Sequence, residues 1–130
     1  YLPAVGLAEA PGHDEAWAPL WPALFSHEPV LVLRDYHADN LMLLDRPGLK
    51  RLGLLDYQDA LAGHPAYDLA SLLQDIRRVV SPELEAAMLA RYIAARNALG
   101  PNLDEASFRT AYAILAAQRN IKILGVFTRL

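Results

Sequence analysis

Two short apolar runs separated by a Pro-Gly turn constrain the fold of this chain more than any other feature. The runs cover residues 41–44 and 51–55. Runs of this length are typical of strands and Pro-Gly is typical of a tight turn, so we predict an antiparallel hairpin. In such a hairpin the residue before the first strand and the residue after the second lie at the same end of the ladder. The prediction therefore brings Asn40 close to Asp56.

Most of the remaining chain has the patterns of helices. Residues 65–80 repeat apolar residues at helical spacing, residues 82–99 follow Ser81 as a candidate N-cap, and residues 104–128 are apolar nearly all round, which predicts a central buried helix. Residues 29–34 form another apolar run, which predicts a buried strand. The expected fold class is α+β and mostly helical, with a small β-hairpin.

Composition excludes several classes of protein. The chain has 130 residues, of which 54% are hydrophobic and 21% charged, with a formal net charge of -3. This composition can build a core and argues against intrinsic disorder. No lysine- or arginine-rich run suggests a nucleic-acid partner, and the absence of cysteine excludes disulfides and thiolate metal sites. No apolar stretch approaches the ~20 residues of a membrane span and no signal peptide is visible, so we expect no membrane partner and a cytoplasmic location.

Acidic and amide side chains stand at the ends of the predicted strands. Asp35 closes one apolar run, Asn40 follows five residues later, and Asp56 closes another run. Carboxylate and amide oxygens suit Mg²⁺, and we predict that Asn40 and Asp56 hold this ion. Asp35, one short loop away, can accept the proton of an attacking hydroxyl while the metal neutralises phosphates. Both spacings occur in the catalytic machinery of protein kinases.

The wider pattern departs from protein kinases and resembles another family. Residues 34–41 (Arg-Asp-Tyr-His-Ala-Asp-Asn-Leu), 54–60 (Leu-Leu-Asp-Tyr-Gln-Asp-Ala) and 63–70 (Gly-His-Pro-Ala-Tyr-Asp-Leu-Ala) resemble, in this order, three motifs of the aminoglycoside phosphotransferase (choline-kinase-like) family. Residues 33–40 and 118–127 are most similar to a bacterial branch of that family. Its members phosphorylate the anomeric hydroxyl of N-acetylmuramate and N-acetylglucosamine in cell-wall recycling.

The resemblance implies a protein-kinase-like C-terminal lobe that uses ATP as phosphoryl donor, Mg²⁺ as cofactor and a small-molecule hydroxyl as acceptor. It implies Asp35 as the catalytic base and Asn40 and Asp56 as the metal ligands. Aminoglycoside, choline and homoserine are alternative acceptors. A non-catalytic kinase-like sensor and a metal-dependent phosphohydrolase are alternatives from other classes. The chain departs from the family at Leu33, where the family has histidine, and at His64, where it has aspartate.

Other side chains near these motifs have weaker assignments. His37 is expected to brace the catalytic loop rather than to contact phosphate. Asp68 either accepts hydrogen bonds from that loop or simply interacts favourably with the N-terminus of its helix. Trp17 and Trp21 are expected in the core rather than in a sugar-stacking platform. The candidates for substrate contact, each with a surface residue or an ion pair as the simpler interpretation, are Asp39, Gln58, Asp59 and Arg119.

Parts that a complete kinase needs are missing from this sequence. The only lysines are Lys50 and Lys122, and the seven glycines form no loop that could cover phosphates. We therefore expect residues 1–130 to be a single domain, the C-terminal catalytic lobe, with an absent N-terminal nucleotide lobe as its partner. A chain that begins at Tyr1 is expected of a processed or excised product. Alone, it should be inactive and expose an apolar patch near the site.

Overall fold

The structure is a computed structural model that describes residues 6, 11–25 and 27–127. Within these residues the chain is mostly helical, and its short strands form two separate antiparallel sheets of two strands each. None of the described helices combines the length and the apolar character that crossing a membrane requires. The elements are α1 (His13–Trp17), α2 (Trp21–Leu24), β1 (Val30–Val32), β2 (Leu41–Leu43), β3 (Leu52–Leu54), β4 (Leu61–Gly63), α3 (Ala66–Leu73), α4 (Pro82–Leu99) and α5 (Glu105–Phe127), with 3₁₀ turns at Ala18–Leu20, Ala38–Asn40 and Gly48–Arg51.

The predicted hairpin is present as β2 and β3. Leu41 pairs with Leu54, and Leu43 pairs with Leu52. The connection turns at Gly48, whose φ of 60° suits a residue without a Cβ atom. The hairpin prediction is confirmed, with strands of three residues instead of four and five.

The prediction of a buried strand over residues 29–34 is wrong in its extent and its burial. β1 covers three residues, and of these only Val32 is buried, while Leu31 is 72% exposed. Side chains alternate between the two faces of a strand, so a sheet with one covered face leaves every second residue exposed. The partner of β1 is β4, in which Gly63 pairs with Val30. β4 was not predicted, because a Leu-Ala-Gly segment is too short to show the alternation of a strand.

α4 and α5 begin and end close to their predicted limits. α4 spans Pro82–Leu99, and the Ser81 hydroxyl caps it by accepting a hydrogen bond from the Leu84 N–H at 3.2 Å. This bond satisfies one of the N–H groups that a helix start leaves unpaired. α5 begins at Glu105, one residue later than the sequence indicated, and spans Glu105–Phe127, where Phe127 is the last residue that the structure describes.

α3 ends at Leu73, seven residues before its predicted end. The reason is a turn that starts at Asp75. The carboxylate of Asp75 accepts a hydrogen bond from the Arg77 N–H at 3.0 Å, and its carbonyl accepts one from the Arg78 N–H at 3.2 Å. Side-chain bonds of this kind compete with the helix for the backbone donors.

The core lies where α3, α4 and α5 meet around Phe108. The Phe108 ring is fully buried and stacks on Tyr92, with 5.5 Å between the ring centroids. The prediction that α5 is buried all round is wrong, because Thr110 and Ala113 in its first part and Leu124 and Phe127 near its end are exposed. The other buried members of the core are Ala66, Ala70, Leu89, Ile93, Tyr112, Leu115 and Ala116.

The two tryptophans are not part of this core, so the core prediction for them is wrong. Trp17 and Trp21 stack on each other with 5.6 Å between their ring centroids, and Trp21 is 42% exposed. Prolines on either side of Trp21 divide the segment into two short helices joined by a 3₁₀ turn. Helices of four and five residues offer little surface for burying large rings.

Candidate active site

The backbone before Asp35 is held by hydrogen bonds to α3. The Asp68 carboxylate accepts one from the Leu33 N–H at 2.8 Å and one from the Arg34 N–H at 3.0 Å. The Ser71 hydroxyl donates to the Arg34 carbonyl at 3.3 Å. These three bonds fix the direction in which the chain leaves β1.

Two residues at the site have backbone angles that L-residues rarely adopt. Arg34 has a φ of 70° and Asp56 a φ of 54°, and they are the non-glycine residues with positive φ in the part of the chain that the structure describes. Such conformations persist only where the surroundings hold them, and they are common at functional sites. One of them directly precedes Asp35, and the other is at a predicted metal ligand.

Asn40 forms hydrogen bonds within the loop that connects β1 and β2. Its side-chain Nδ2 donates to the Asp35 carbonyl at 2.8 Å, and its backbone N–H donates to the His37 carbonyl at 3.0 Å. The same Nδ2 lies 3.3 Å from Nε2 of His37. His37 is buried, and its Nδ1 has no hydrogen-bond partner among the described groups. The contacts of His37 are therefore with the loop itself.

The hairpin brings Asn40 and Asp56 to one end of its ladder. Beyond the last strand pair, the Leu55 N–H donates to the Asn40 carbonyl at 3.0 Å, one residue before Asp56. Because the Asn40 amide nitrogen is occupied, its amide oxygen is the atom left for a ligand. The Asp56 carboxylate accepts a short hydrogen bond from the Gln58 amide.

One amide oxygen and one carboxylate at the same ladder end fit a hard cation such as Mg²⁺. This ion commonly takes one or two protein ligands and completes its shell with phosphate oxygens and water. Across the described residues, no three His, Cys, Asp or Glu side chains converge to hold a metal ion by themselves. The pair therefore suits an ion that arrives with a phosphate ligand better than a metal fully enclosed by protein.

Asp35 lines a cleft of about 260 Å³ whose other charged lining residues are all cations and whose remaining wall is largely apolar. Arg119 and Lys122 of α5 line it, together with Arg77 from the turn after α3 and the half-buried Tyr67. Burial is the main reason why the pKa of Tyr67 is raised. Among the candidates for substrate contact, Arg119 is the one that shares the cleft with Asp35. Arg77 was not predicted as a site residue, because no spacing links it to the motif residues, and Tyr67 belongs to the third motif but was not among the predicted substrate contacts.

The other candidates for substrate contact lie outside this cleft. Asp39 forms an ion pair with Arg78 at 2.7 Å, and the hydrogen bond from Arg78 holds the pKa of Asp39 below its ordinary value. Asp59 lies 3.9 Å from the Arg34 guanidinium, and Gln58 is bonded to Asp56. All three are exposed on the loops around the ladder end.

His64 forms a pair with His27 next to the start of α3. Its Nε2 lies 3.1 Å from Nδ1 of His27, and its Nδ1 accepts a hydrogen bond from the Ala66 N–H at 3.1 Å. Burial first, and then the neighbouring His27, lower the pKa of His64 to about 4. The ring is therefore neutral at pH 7. Both imidazoles contact the edge or face of Phe108, which connects the pair to the core.

The mostly helical fold with its small antiparallel sheets is consistent with a kinase-like lobe. Residues 3–108 match the sequence model of the phosphotransferase enzyme family. The chain belongs to that family, which confirms the resemblance carried by its three motifs.

Several curated relatives bear the same name, N-acetylmuramate/N-acetylglucosamine kinase. The protein of Caulobacter vibrioides is 48% identical over 128 residues, which cover 98% of this chain and 33% of the relative. Those of Neisseria meningitidis serogroup B and Pseudomonas aeruginosa are 38% and 36% identical, over 85% and 78% of this chain. The similarity to this branch, predicted from residues 33–40 and 118–127, is confirmed. The chain spans about a third of the length of these relatives.

Proposed function

We propose that this chain is the catalytic lobe of a kinase that transfers a phosphoryl group from ATP to a hydroxyl of an amino sugar. The observation that carries the proposal is the clustering of Asp35, Asn40 and Asp56 around one end of the hairpin. The Asn40 side chain bonds to the Asp35 carbonyl, and the Asn40 carbonyl bonds to the residue before Asp56. Membership of the phosphotransferase family and the names of the relatives support the reaction class and the acceptor.

Each residue of the cluster has a distinct role in this proposal. Asp35 accepts the proton of the attacking hydroxyl, because a carboxylate at the mouth of the cleft is the nearest base to an acceptor bound there. Asn40 and Asp56 would hold Mg²⁺, which supplies neutralisation of the phosphate charge when it is bound. His37 and Asp68 position the loop through the hydrogen bonds described above. The proposed use of ATP also makes the cytoplasm the expected location.

We further propose that residues 1–130 form the C-terminal lobe and that a preceding segment of the same protein supplies the nucleotide lobe. The sequence has no glycine-rich loop and no strand lysine for the phosphates. The relatives are about three times as long as this chain. A kinase site of this type lies between two lobes, so the catalytic cluster by itself should bind nucleotide weakly.

The proposal is tested by an assay of ATP-dependent phosphorylation on this chain joined to such a segment. The acceptors are N-acetylmuramate and N-acetylglucosamine, with an aminoglycoside, choline and homoserine for comparison. We expect Asp35→Asn to lower kcat by about 10²–10⁴-fold, the usual contribution of a general base. Asp45→Asn is the matched control, because Asp45 lies in the hairpin turn, at the opposite end of the ladder from Asn40 and Asp56.

Two outcomes would contradict this proposal. One is a wild-type rate in Asp35→Asn, which would remove the base from the mechanism. The other is the absence of phosphoryl transfer to every acceptor of the panel. Phosphate release from ATP without any acceptor would instead favour a phosphohydrolase.

A further inference from the structure

Arg119 is a buried cation that has no counter-ion among the described residues. It is only 5% exposed, and its Nη1 is buried without a hydrogen-bond partner. The ion pairs of the described side chains involve other arginines. A guanidinium keeps its charge at all physiological pH values, so it cannot avoid the cost of burial by losing a proton. An unpaired buried charge of this kind is accounted for if an anionic ligand binds beside it.

The surroundings of Arg119 are suited to an anion. Lys122 lies one helical turn further along α5, and Arg77 lines the same cleft from the turn after α3. Arg77 is partly neutralised by Asp75, 3.4 Å away, whereas Arg119 is not. Asp35 is the only acid among the described residues that line the cleft, so the walls carry a surplus of positive charge.

The position of the cleft indicates which part of a reaction it serves. Asn40 and Asp56, the proposed ligands of a phosphate-bound metal, do not line it. Asp35 does, and so connects the ladder end with the cationic cleft. If the donor phosphates lie at the ladder end, the cleft is a separate space beside Asp35 that is available to the acceptor.

We propose that Arg119, assisted by Lys122, binds the carboxylate of an acidic amino-sugar acceptor and so directs a hydroxyl of that sugar to Asp35. This inference rests on the proposed function. A guanidinium can form two parallel N–H···O bonds with a carboxylate, which fixes orientation as well as charge. Of the two sugars in the relatives' names, N-acetylmuramate carries a carboxylate and N-acetylglucosamine does not. This carboxylate subsite, formed by Arg119 and Lys122, therefore favours N-acetylmuramate over N-acetylglucosamine.

Direct binding without nucleotide tests this subsite independently of catalysis. Calorimetric titrations of both sugars are made on the same protein as in the activity assay, in its wild-type form and as Arg119→Met and Arg109→Met. Arg109 is the matched control, since it lies on the same helix but pairs with Glu105 on the surface at 2.7 Å. We expect Arg119→Met to weaken binding of N-acetylmuramate by about tenfold or more and that of N-acetylglucosamine by less than about twofold. Arg109→Met should change neither.

A folding control accompanies the titrations. Replacing an unpaired buried charge by an apolar side chain of similar volume is often neutral or stabilising, so the thermal unfolding midpoint of Arg119→Met should not fall. Arg119→Lys keeps the charge but loses the fork geometry, and we expect it to lie between wild type and Arg119→Met in its affinity for N-acetylmuramate. This second variant gives a reading even if the methionine variant unfolds.

Three results would overturn the inference. The first is an equal loss of affinity for both sugars in Arg119→Met, which would make Arg119 a structural residue. ATP and inorganic phosphate are titrated in the same way. The second result is a loss of affinity in Arg119→Met for one of these and not for the sugars, which would make phosphate the anion bound there. The third is no binding of N-acetylmuramate by the wild type. Selective binding of N-acetylmuramate without phosphoryl transfer would refute the proposed function and support the subsite.

Discussion

Asp68 holds the backbone of Arg34, just before the candidate base Asp35, in a positive-φ conformation that L-residues rarely adopt. Its two carboxylate oxygens each accept one N–H, from Leu33 and Arg34. Burial raises the pKa of Asp68 and the nearby Asp35 adds to the rise, while the two backbone bonds act in the opposite direction. The two bonds that fix the backbone before Asp35 therefore offset only part of the cost of burying this carboxylate.

Substitution of Asp68 should affect both stability and rate. Asp68→Asn removes the negative charge and leaves one oxygen to accept two N–H groups. We expect the free energy of unfolding in urea to fall by about 1–3 kcal/mol. kcat should fall more than KM rises, because the loop would no longer be fixed before Asp35. Asp45→Asn serves as the surface control, and an unchanged unfolding midpoint in Asp68→Asn would contradict the expectation.

The lowered pKa of His64 predicts a loss of stability in mild acid. The folded protein binds this proton with a pKa of about 4, and the ordinary value is 6.5. Above pH 6.5 the ring is neutral in both states and contributes no pH dependence. As pH falls from 6.5 to 4 the unfolded state takes up the proton first, so the folded state loses stability.

Unfolding in urea at a series of pH values measures this effect. In wild type the free energy of unfolding should fall between pH 6.5 and 4, and His64→Asn should make this fall smaller by about 1–2 kcal/mol. The figure is reduced for the partial exposure of the ring. His13→Gln is the control, since His13 is exposed near the N-terminal end of the described chain. Equal slopes in wild type and His64→Asn would assign the acid sensitivity to other groups.

At the scale of elements, a polar network joins the three helices of the core. Glu85 of α4 accepts hydrogen bonds from Gln74, the C-cap of α3, at 2.9 Å and from the Tyr112 hydroxyl of α5 at 2.7 Å. Asn120, two turns further along α5, donates to the Gln74 side-chain oxygen at 3.1 Å. Burial and the bond to Glu85 raise the pKa of Tyr112, so its hydroxyl stays a donor. The network fixes how the end of α3 meets α5, the helix that carries Arg119.

Removal of one hydroxyl tests this network. We expect Tyr112→Phe to lower the free energy of unfolding by about 1–2 kcal/mol, because the half-buried Glu85 loses a donor. Tyr92→Phe is the matched control, since Tyr92 also packs on the core but its hydroxyl forms no hydrogen bond with any described group. A double-mutant cycle with Glu85→Gln should give a coupling between Tyr112 and Glu85 of at least about 0.5 kcal/mol. Additive effects would show that the network does not act as a unit.

At the scale of the whole molecule, the core is built from the helices, and Val32 is the only strand residue among the buried apolar side chains of the described chain. Each of the four strands carries at least one large apolar side chain that is exposed, and Leu31 and Leu43 are exposed by 72% and 76%. Exposed apolar surface of this kind marks an interaction site or an aggregation hazard. We expected an apolar patch near the catalytic cluster, and the strands β1 and β2 flank the loop of Asp35. The proposed nucleotide lobe would cover this surface.

The chain by itself should therefore bind a hydrophobic dye and self-associate at high concentration. We expect the double variant Leu31→Gln and Leu43→Gln to reduce both effects with little change in the unfolding midpoint, since neither side chain is buried. Leu99→Gln, at the exposed end of α4, is the control and should have a smaller effect. Dye binding that stays the same when the N-terminal segment is joined would argue against a lobe that covers these strands.

Much of the local structure and the main motif could be predicted from the sequence. The hairpin, the Ser81 cap of α4 and the start of α5 depend on residues that are close in the chain, and so their patterns are visible in the sequence. The three motifs predicted the family for the same reason. The end of α3 was missed because a single carboxylate at Asp75 redirects the backbone, and such competition has no periodic signature.

By itself, the sequence determined which groups are available for chemistry: an acid at Asp35, an amide at Asn40, an acid at Asp56, and a hairpin that brings the last two together. Only the tertiary structure decided that β1 pairs with β4, that Asp68 holds the loop, and that Arg119 lies buried in the cleft of Asp35. The physical reason is the distance along the chain between the residues whose contacts decide each feature. Turns, caps and hairpins depend on neighbours along the chain, whereas a buried cation beside a distant carboxylate depends on how α3 and α5 pack.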